Sequence, residues 1–477
     1  MPRYIFSCTM VRMAVKAKTE RVNIPYIPGA ATVRTYDNGY TLVFIPKPGD
    51  VFNINTWVRT GSIHEDGDIN GISHFLEHLM FKGTERFKPG EFDRAMESMG
   101  AVINAATWKD FTYYYVTGPK GPAGENFDKA LDMHADMMLH STIPDEEVGP
   151  PYDPFDASYA GEKRERSVVI EEIGMREDQP WTKIFNAVNS MMYPEGHPYR
   201  MDVIGTRQII GSIPRRTILD YYRHWYSPAS MTTVVVGDFE LDALEARVLK
   251  AFDFSRVQAA PVTTPLPSPQ GITQDGAAML AGHLKAKDLT RYVAFPGDFQ
   301  TSFFITGYHG PQPENLDEVI ALDVISQVLG ESRSSRLEQE LVEKPEVPNF
   351  TFLSCGQSTY KLGNVFYVQG NFVQPDIQDA LAQVRAEMDK LLTTDPVTAE
   401  EMRRAVKSLK VGFAETSETA SGLSETVGES LTVTGTLDSV TRYLDALESL
   451  DLATVNRVAR ELLTAGKAYT AVLYPKK

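Results

Sequence analysis

Residues 257–271, VQAAPVTTPLPSPQG, hold four prolines and no charged side chain. Proline removes a backbone donor and locks φ, so neither a helix interior nor a central strand runs through such a stretch. It reads as a linker near the middle of the 477 residues, which leaves the chain to build its cores on either side. The two sides repeat one another in order. LDYYRHWYSPASMTTVVVGDF (219–239) reads as helix, turn and buried strand, and VNRVARELLTAGKAYTAVLYP (455–475) has the same sequence of elements. Earlier in each half a strand and loop run into an amphipathic helix: FNINTWVRTG leads to HFLEH, and SFFITGYHG leads to EVIALDVISQVLG. Both correspondences lie about 240 to 250 residues apart, the mark of a duplicated α+β unit. The expected organisation is an N-terminal extension over 1–30, a first unit over 31–256, the linker at 257–271 and a second unit over 272–477.

Charge and cysteine content remove several function classes. A formal net charge of −16 with no basic stripe argues against a nucleic-acid surface and suits cationic or neutral ligands. The only cysteines, Cys8 and Cys355, are too few for a disulfide framework or a thiolate metal site, and both are expected as free thiols. No run approaches the roughly 18 apolar residues of a membrane span. The first 19 residues carry Arg3, Arg12, Lys16 and Lys18 with no acid, which suits a short transit peptide or a frayed terminus. With no convincing signal the expected compartment is the cytoplasm, the periplasm and the mitochondrion being the alternatives.

The segment GISHFLEHLMFKG (71–83) carries chemistry. On a helical wheel Ile72, Phe75, Leu76, Leu79 and Met80 fall in one arc, and His74, Glu77 and His78 share the opposite one. One face packs while the other presents ligands. Histidines at i and i+4 stand one turn apart, close enough for both to bind one zinc, with Glu77 beside them to take a proton from water. With nine histidines in the chain, H-x-x-E-H arises by chance in about one such sequence in a hundred. A catalytic zinc has three protein ligands, so a carboxylate must come from elsewhere. EKRERSVVIEEIGMRED (162–178) offers it: Glu165 and Glu172 share a helix face with Val168 and Val169 between them, while Glu171 should see solvent. The alternative is a charged surface helix with ion pairs to Arg166 and Arg176. His134 and His140 sit in a Leu- and Met-rich pattern that reads as a packed helix. After it, residues 144–162 hold four prolines and no periodicity, an exposed insertion.

At these residues the chain resembles the inverzincins, the M16 zinc metallopeptidase family, and among them the short type to which the mitochondrial processing peptidase beta subunit belongs. The likeness spans HFLEHLMFKGT, GAVINAATWKDFTYYYV, ERSVVIEEIGMRED, HPYRMDVIG, YYRHWYSPASMTTVVVGDF and LGESRSSRLEQELVEK. It implies an α+β fold of two homologous α/β roll domains forming half of a clam-shell chamber. It also implies one zinc per chain on His74, His78 and Glu172, Glu77 as general base and Glu165 supporting the site from behind. Asn104 and Ala105 would lie on an edge strand that accepts a substrate main chain. The implied substrates are peptides, unstructured or basic.

The resemblance breaks in one place. Active members bring an arginine and a tyrosine from the second half to grip the substrate carbonyl. Here, in LVEKPEVPNFTF, Val342 and Asn349 stand at those positions. A homologous partner chain that lacks H-x-x-E-H but carries the pair is therefore expected, in a heterodimer. The alternative is a non-catalytic scaffold subunit of a larger complex.

Overall fold

The computed structural model describes residues 17–152, 164–256, 269–286, 289–344, 349–373 and 376–476. The first half builds one sheet from β1 (Ala17–Val22), β2 (Ala31–Tyr36), β3 (Thr41–Pro46), β4 (Val51–Val58), β5 (Val102–Thr107), β6 (Thr112–Pro119) and β7 (Met231–Gly237). The second half builds another from β8 (Tyr292–Gly297), β9 (Ser302–His309), β10 (Asn349–Tyr360), β11 (Gly363–Val373) and β12 (Tyr469–Pro475). Their spatial orders are β1-β2-β3-β7-β4-β6-β5 and β10-β11-β9-β12-β8. Without β1 and β2 the first order matches the second strand for strand. The one parallel pair also falls in the same place, β3 with β7 and β8 with β12. The expected duplication is therefore present at the level of topology, and the α+β class holds.

The halves are not independent of one another. The helix Pro180–Met192, which belongs to the first half in sequence, packs on β9 and β12 of the second sheet. Its counterpart Ala420–Val433, from the second half, packs on β4 and β7 of the first. Two of the apolar cores are built this way. One joins Trp57, Val43, Val234 and Val236 to Leu423, Val427 and Leu431. The other joins Ile184, Val188 and Met192 to Ile305, Tyr469 and Leu473. Close approach at both crossings depends on glycine. A Cβ on Gly428 would lie 2.0 Å from Trp57 Nε1, and one on Gly307 would lie 2.6 Å from Met192 Sδ. A hydrogen-bonded latch ties the hairpin turns together as well. Asp110 accepts the N–H of Lys361 at 2.9 Å and the hydroxyl of Tyr199 at 2.7 Å, and that hydroxyl accepts the N–H of Leu362 at 3.1 Å.

Several expected boundaries move. Within the span read as an N-terminal extension, residues 17–22 pair antiparallel with β2 as an edge strand, and residues 1–16, Cys8 among them, lie outside the described residues. The linker lies outside them up to residue 268, and its last three residues open a helix, Pro269–His283. Of the Pro-rich insertion, Asp145–Val148 forms a helical turn, and 153–163 lie outside the described residues. His134 is fully buried with Nε2 2.9 Å from Thr56 Oγ1, a packed histidine as read. Among the described residues no helix is long and apolar enough to cross a membrane.

Replacing Gly428 by alanine should cost about 1–3 kcal/mol through overpacking against Trp57. The check is a thermal melt. Because the two cores share these helices, both halves should lose structure in the same transition.

Candidate metal centre

The HFLEH helix runs from Ile72 to Met80. It starts at Gly71, whose φ of 93° and 2.5 Å clearance between a built Cβ and the Ile204 carbonyl admit no side chain. Ile72, Phe75, Leu76, Leu79 and Met80 are fully buried, while His74, Glu77 and His78 are half-buried on the other face, as the wheel predicts. The helix Glu165–Glu177 lies across that face. Arg166 holds it there. The residue is 2% exposed, and its guanidinium donates to the carbonyls of Ile210 and, at 2.8 Å, Ile213, and sits 5.4 Å from the Phe75 ring centroid. The alternative of a solvated helix with Arg166 in surface ion pairs is thereby overturned. Arg176 does keep an acidic neighbour, Asp202 at 3.9 Å. Glu171 is exposed as expected, and so is Val168, at 37%, whereas Val169 is fully buried.

Crossing the helices brings three donors together. Ligand atoms of His74, His78 and Glu172 all lie within 4.8 Å of one another. Glu172 Oε2 is 3.6 Å from His74 Nε2 and 3.5 Å from His78 Nε2. Metal–ligand bonds of about 2.0–2.1 Å in a tetrahedron give ligand–ligand edges of roughly 3.3–3.4 Å, so the two edges from Glu172 to the histidines already stand near the spacing a zinc ion requires. Two imidazoles and one carboxylate are also the donor set of a catalytic site that keeps a position open.

Behind the donors, Glu165 Oε2 lies 3.1 Å from His78 Nδ1, and Glu165 Oε1 lies 2.7 Å from Lys82 Nζ. A carboxylate on Nδ1 fixes the tautomer that leaves Nε2 free to ligate. Burial and the neighbouring His78 hold His74 down to about 4, so it stays neutral with a lone pair available. Burial acts on His78 in the same direction, but its contacts to Glu165 and Glu172 outweigh it and push that residue up to about 9. The contact with His78 pulls Glu172 down, which keeps it ionised.

Glu77 extends toward the end of β5, where the Thr107 hydroxyl donates to its Oε2 at 2.6 Å. Burial raises this carboxyl and the Thr107 hydrogen bond opposes the rise. Sequence reasoning missed both Thr107 and Lys82. For Lys82 a signal existed, its i+4 spacing from His78. For Thr107 the signal was its two-residue step from Ala105 on one strand face. β5 ends the first sheet, so its outer edge is unpaired among the described strands, and it carries the exposed Asn104 and the buried Ala105. Beyond its tip a cavity of about 640 Å³ opens between the halves, walled by Trp108, Trp181, Phe185 and Phe352 with Arg176 and Asp202.

The second half has no such centre among its described residues. The helix Leu316–Leu329 follows β9 as the HFLEH helix follows β4, and its burial pattern sets Asp323, Ser326 and Gln327 at the places of His74, Glu77 and His78. Asp323 accepts hydrogen bonds from Gln357 and Tyr443 instead of facing a cation, and burial pushes its carboxyl up to about 6. Val342 is half-buried against the second core, and Asn349 opens β10 opposite Val373.

Comparison with known proteins finds matches over both halves of the chain. The model for insulinase (peptidase family M16) matches residues 43–200, and that for the peptidase M16 inactive domain matches residues 212–409. The zinc protease PqqE of Helicobacter pylori is 28% identical over 465 residues, covering 94% of each chain. The uncharacterized zinc protease YmxG of Bacillus subtilis is 26% identical over 439 residues, covering 92% of this chain and 97% of its own. Among solved structures, a protease from Helicobacter pylori superposes with a TM-score of 0.77 at 24% identity, over 96% of this chain and 100% of that one. A peptidase M16 inactive domain from Pseudomonas fluorescens does so with 0.76 at 14% identity, over 97% and 98%.

His74→Ala and Glu172→Ala should each lose a bound divalent ion on dialysis, whereas Glu77→Gln should retain it. Elemental analysis of the dialysed proteins makes the check, and a metal-free Glu77→Gln chain would contradict the assignment of roles.

Proposed function

The chain belongs to the M16 peptidase family, and from that premise we propose that it is the zinc-bearing subunit of an endopeptidase that cleaves unstructured peptides in an enclosed chamber. The observation that carries this reading is the convergence of His74, His78 and Glu172 on one point from two helices, with Glu77 alongside. The relatives named as zinc proteases support the choice of metal. Zinc held by these three residues would supply Lewis acidity for a water and for the scissile carbonyl.

The chain's own residues do the rest. A substrate main chain adds to the free edge of β5 at Asn104 and Ala105, where backbone hydrogen bonds bind it without demanding a sequence. Glu77 takes the proton of the attacking water and passes it to the leaving amine, so that one peptide bond breaks and two shorter peptides leave. Thr107 holds the Glu77 carboxylate in line for both transfers. The aromatic cavity past Trp108 suits a bulky apolar side chain of the same peptide, one rim of it being Arg176, a turn beyond Glu172. The net charge of −16 favours basic peptides on approach.

Val342 has no polar side-chain atom and Asn349 carries no charge, so neither supplies what the arginine and tyrosine of active members bring to a substrate carbonyl. The loss of one such donor costs about 3–4 kcal/mol, or 10²- to 10³-fold in rate. A homologous chain carrying an arginine and a tyrosine at those positions would restore the missing charge, which is why we infer a heterodimer. The intact donor set speaks against a mere scaffold, since such a role places no demand on three converging ligands.

Purified alone and zinc-loaded at one per chain, the protein should barely turn over a quenched-fluorescent peptide library, and the homologous partner should raise the rate by the factor above. Rapid, chelator-sensitive cleavage by a preparation free of any second polypeptide would end the idea of divided labour. In the active assembly Thr107→Val should keep zinc and KM while kcat falls about tenfold or more, the worth of one hydrogen bond to a charged group. Thr107→Ser should recover most of that loss.

A further inference from the structure

The helix that offers His74 and His78 begins without a cap of its own. Its N-cap is Gly71, which has no side chain to satisfy the free N–H groups of the first turn. A carboxylate from outside the helix does this. Glu65, 4% exposed, accepts the Gly71 N–H at 2.7 Å and the Asn70 side-chain amide at 2.9 Å on Oε2, and the Ser73 N–H at 2.9 Å on Oε1. The Asn70 amide also donates to the Asp202 carbonyl at 2.9 Å, so the brace is itself anchored to the loop beside Gly205.

Two consequences follow for His74, the next residue after Ser73. The first is geometric. With both carboxylate oxygens gripping N–H groups on Gly71 and Ser73, the helix cannot turn about its axis. A rotation of about 10° would sweep an atom roughly 6 Å from the axis through about 1 Å, well beyond the tolerance of a metal bond. The second is electrostatic. His74 sits in the first turn, at the end of the helix that carries about half a positive charge, an unfavourable place to bring a divalent cation. The buried carboxylate sits on that end and offsets it. Burial pushes the Glu65 carboxyl up while its donors, the three N–H groups and the Ser73 hydroxyl, pull it back; all of these donors are neutral, so the charge of the carboxylate acts on the helix end and on the buried Lys109 ammonium.

We propose that Glu65 is a positioning residue that sets the zinc affinity of the centre, by fixing the rotation of the HFLEH helix and cancelling the positive charge of its N-terminus. This rests on the reading of His74, His78 and Glu172 as a zinc site. Glu65 itself touches neither metal nor substrate.

The test is the zinc dissociation constant of the full chain, measured by competition with a chromophoric chelator well below the melting temperature. Glu65→Gln should bind zinc about 10- to 100-fold more weakly, the range typical of residues that hold a ligand from behind, while circular dichroism reports a folded protein. Tyr221→Phe is the control: it removes the hydroxyl 2.8 Å from Ser73 Oγ at the same turn without altering charge, and it should bind zinc as the parent does. A folded Glu65→Gln chain with parental zinc affinity overturns the proposal, because a cap that only stabilises the fold moves the melting temperature and not the affinity. If Glu65→Gln does not fold, Glu65→Asp decides. It keeps the charge but shortens the reach by one methylene, so weaker zinc binding supports the brace and parental binding overturns it. A parent chain that binds no zinc would sink the zinc reading itself, which the other outcomes leave standing.

Discussion

A sheet has two faces to cover, and each half of this chain covers one face of its own sheet with its own helices and leaves the other to a helix from the opposite half. Pro180–Met192 seals the second sheet and Ala420–Val433 seals the first. The exchange makes the apolar cores around Trp57 and around Met192 common property of both halves. It also determines where the site can be. Pro180–Met192 follows directly on Glu165–Glu177, so anchoring the former on the second sheet fixes the exit of the helix that delivers Glu172. The cavity walled by Trp181 of the first half and Phe352 of the second opens at that same junction.

The candidate metal centre is a crossing of two helices whose polar atoms are supported from three sides. Arg166 pins one helix through main-chain carbonyls, Glu65 caps the other, and the Lys82–Glu165–His78 chain sets a tautomer. Arg166 and Glu65 are buried charges met by backbone dipoles, and the half-buried Lys82 meets Glu165 as an ion pair. The arrangement therefore concentrates buried carboxylates around a point that a divalent cation would neutralise. Thr107, at the tip of the edge strand, links this centre to the surface on which a peptide would lie.

The second half shows what the duplicated unit becomes without that demand. Its strands keep the same order and its helix keeps the same buried positions, with Ser326 buried where Glu77 is half-buried. Asp323, Ser326 and Gln327 then close on neighbouring side chains through hydrogen bonds. Packing was kept because every residue of a core feels a lost methylene, whereas polar positions facing a cleft were free to change partners.

Periodicity and spacing made much of this legible in advance. The apolar arc of Ile72, Phe75, Leu76, Leu79 and Met80 and the opposing histidines were plain because helix geometry maps residue number directly onto direction. The duplication was visible because strands and helices recur in order, and the break near residue 257 because proline has a local effect. What the linear text could not carry were contacts between residues far apart in it. Two readings of the acidic helix were open until Arg166 proved to be buried against residues 210–213. Val168 was given the same face as Val169, but only the assembled fold determines that one of them is exposed and the other buried. Thr107 and Glu65 look like an ordinary strand residue and an ordinary surface acid. They meet the HFLEH helix only because the β5 tip and the loop before Gly71 are folded against it. The sequence by itself determined which helix faces are polar and which half carries the H-x-x-E-H donors. Tertiary structure alone decided which carboxylate meets which histidine, and which half covers which sheet. Those outcomes depend on how apolar surfaces from distant segments bury one another, and burial is a property of the whole chain rather than of any stretch of it.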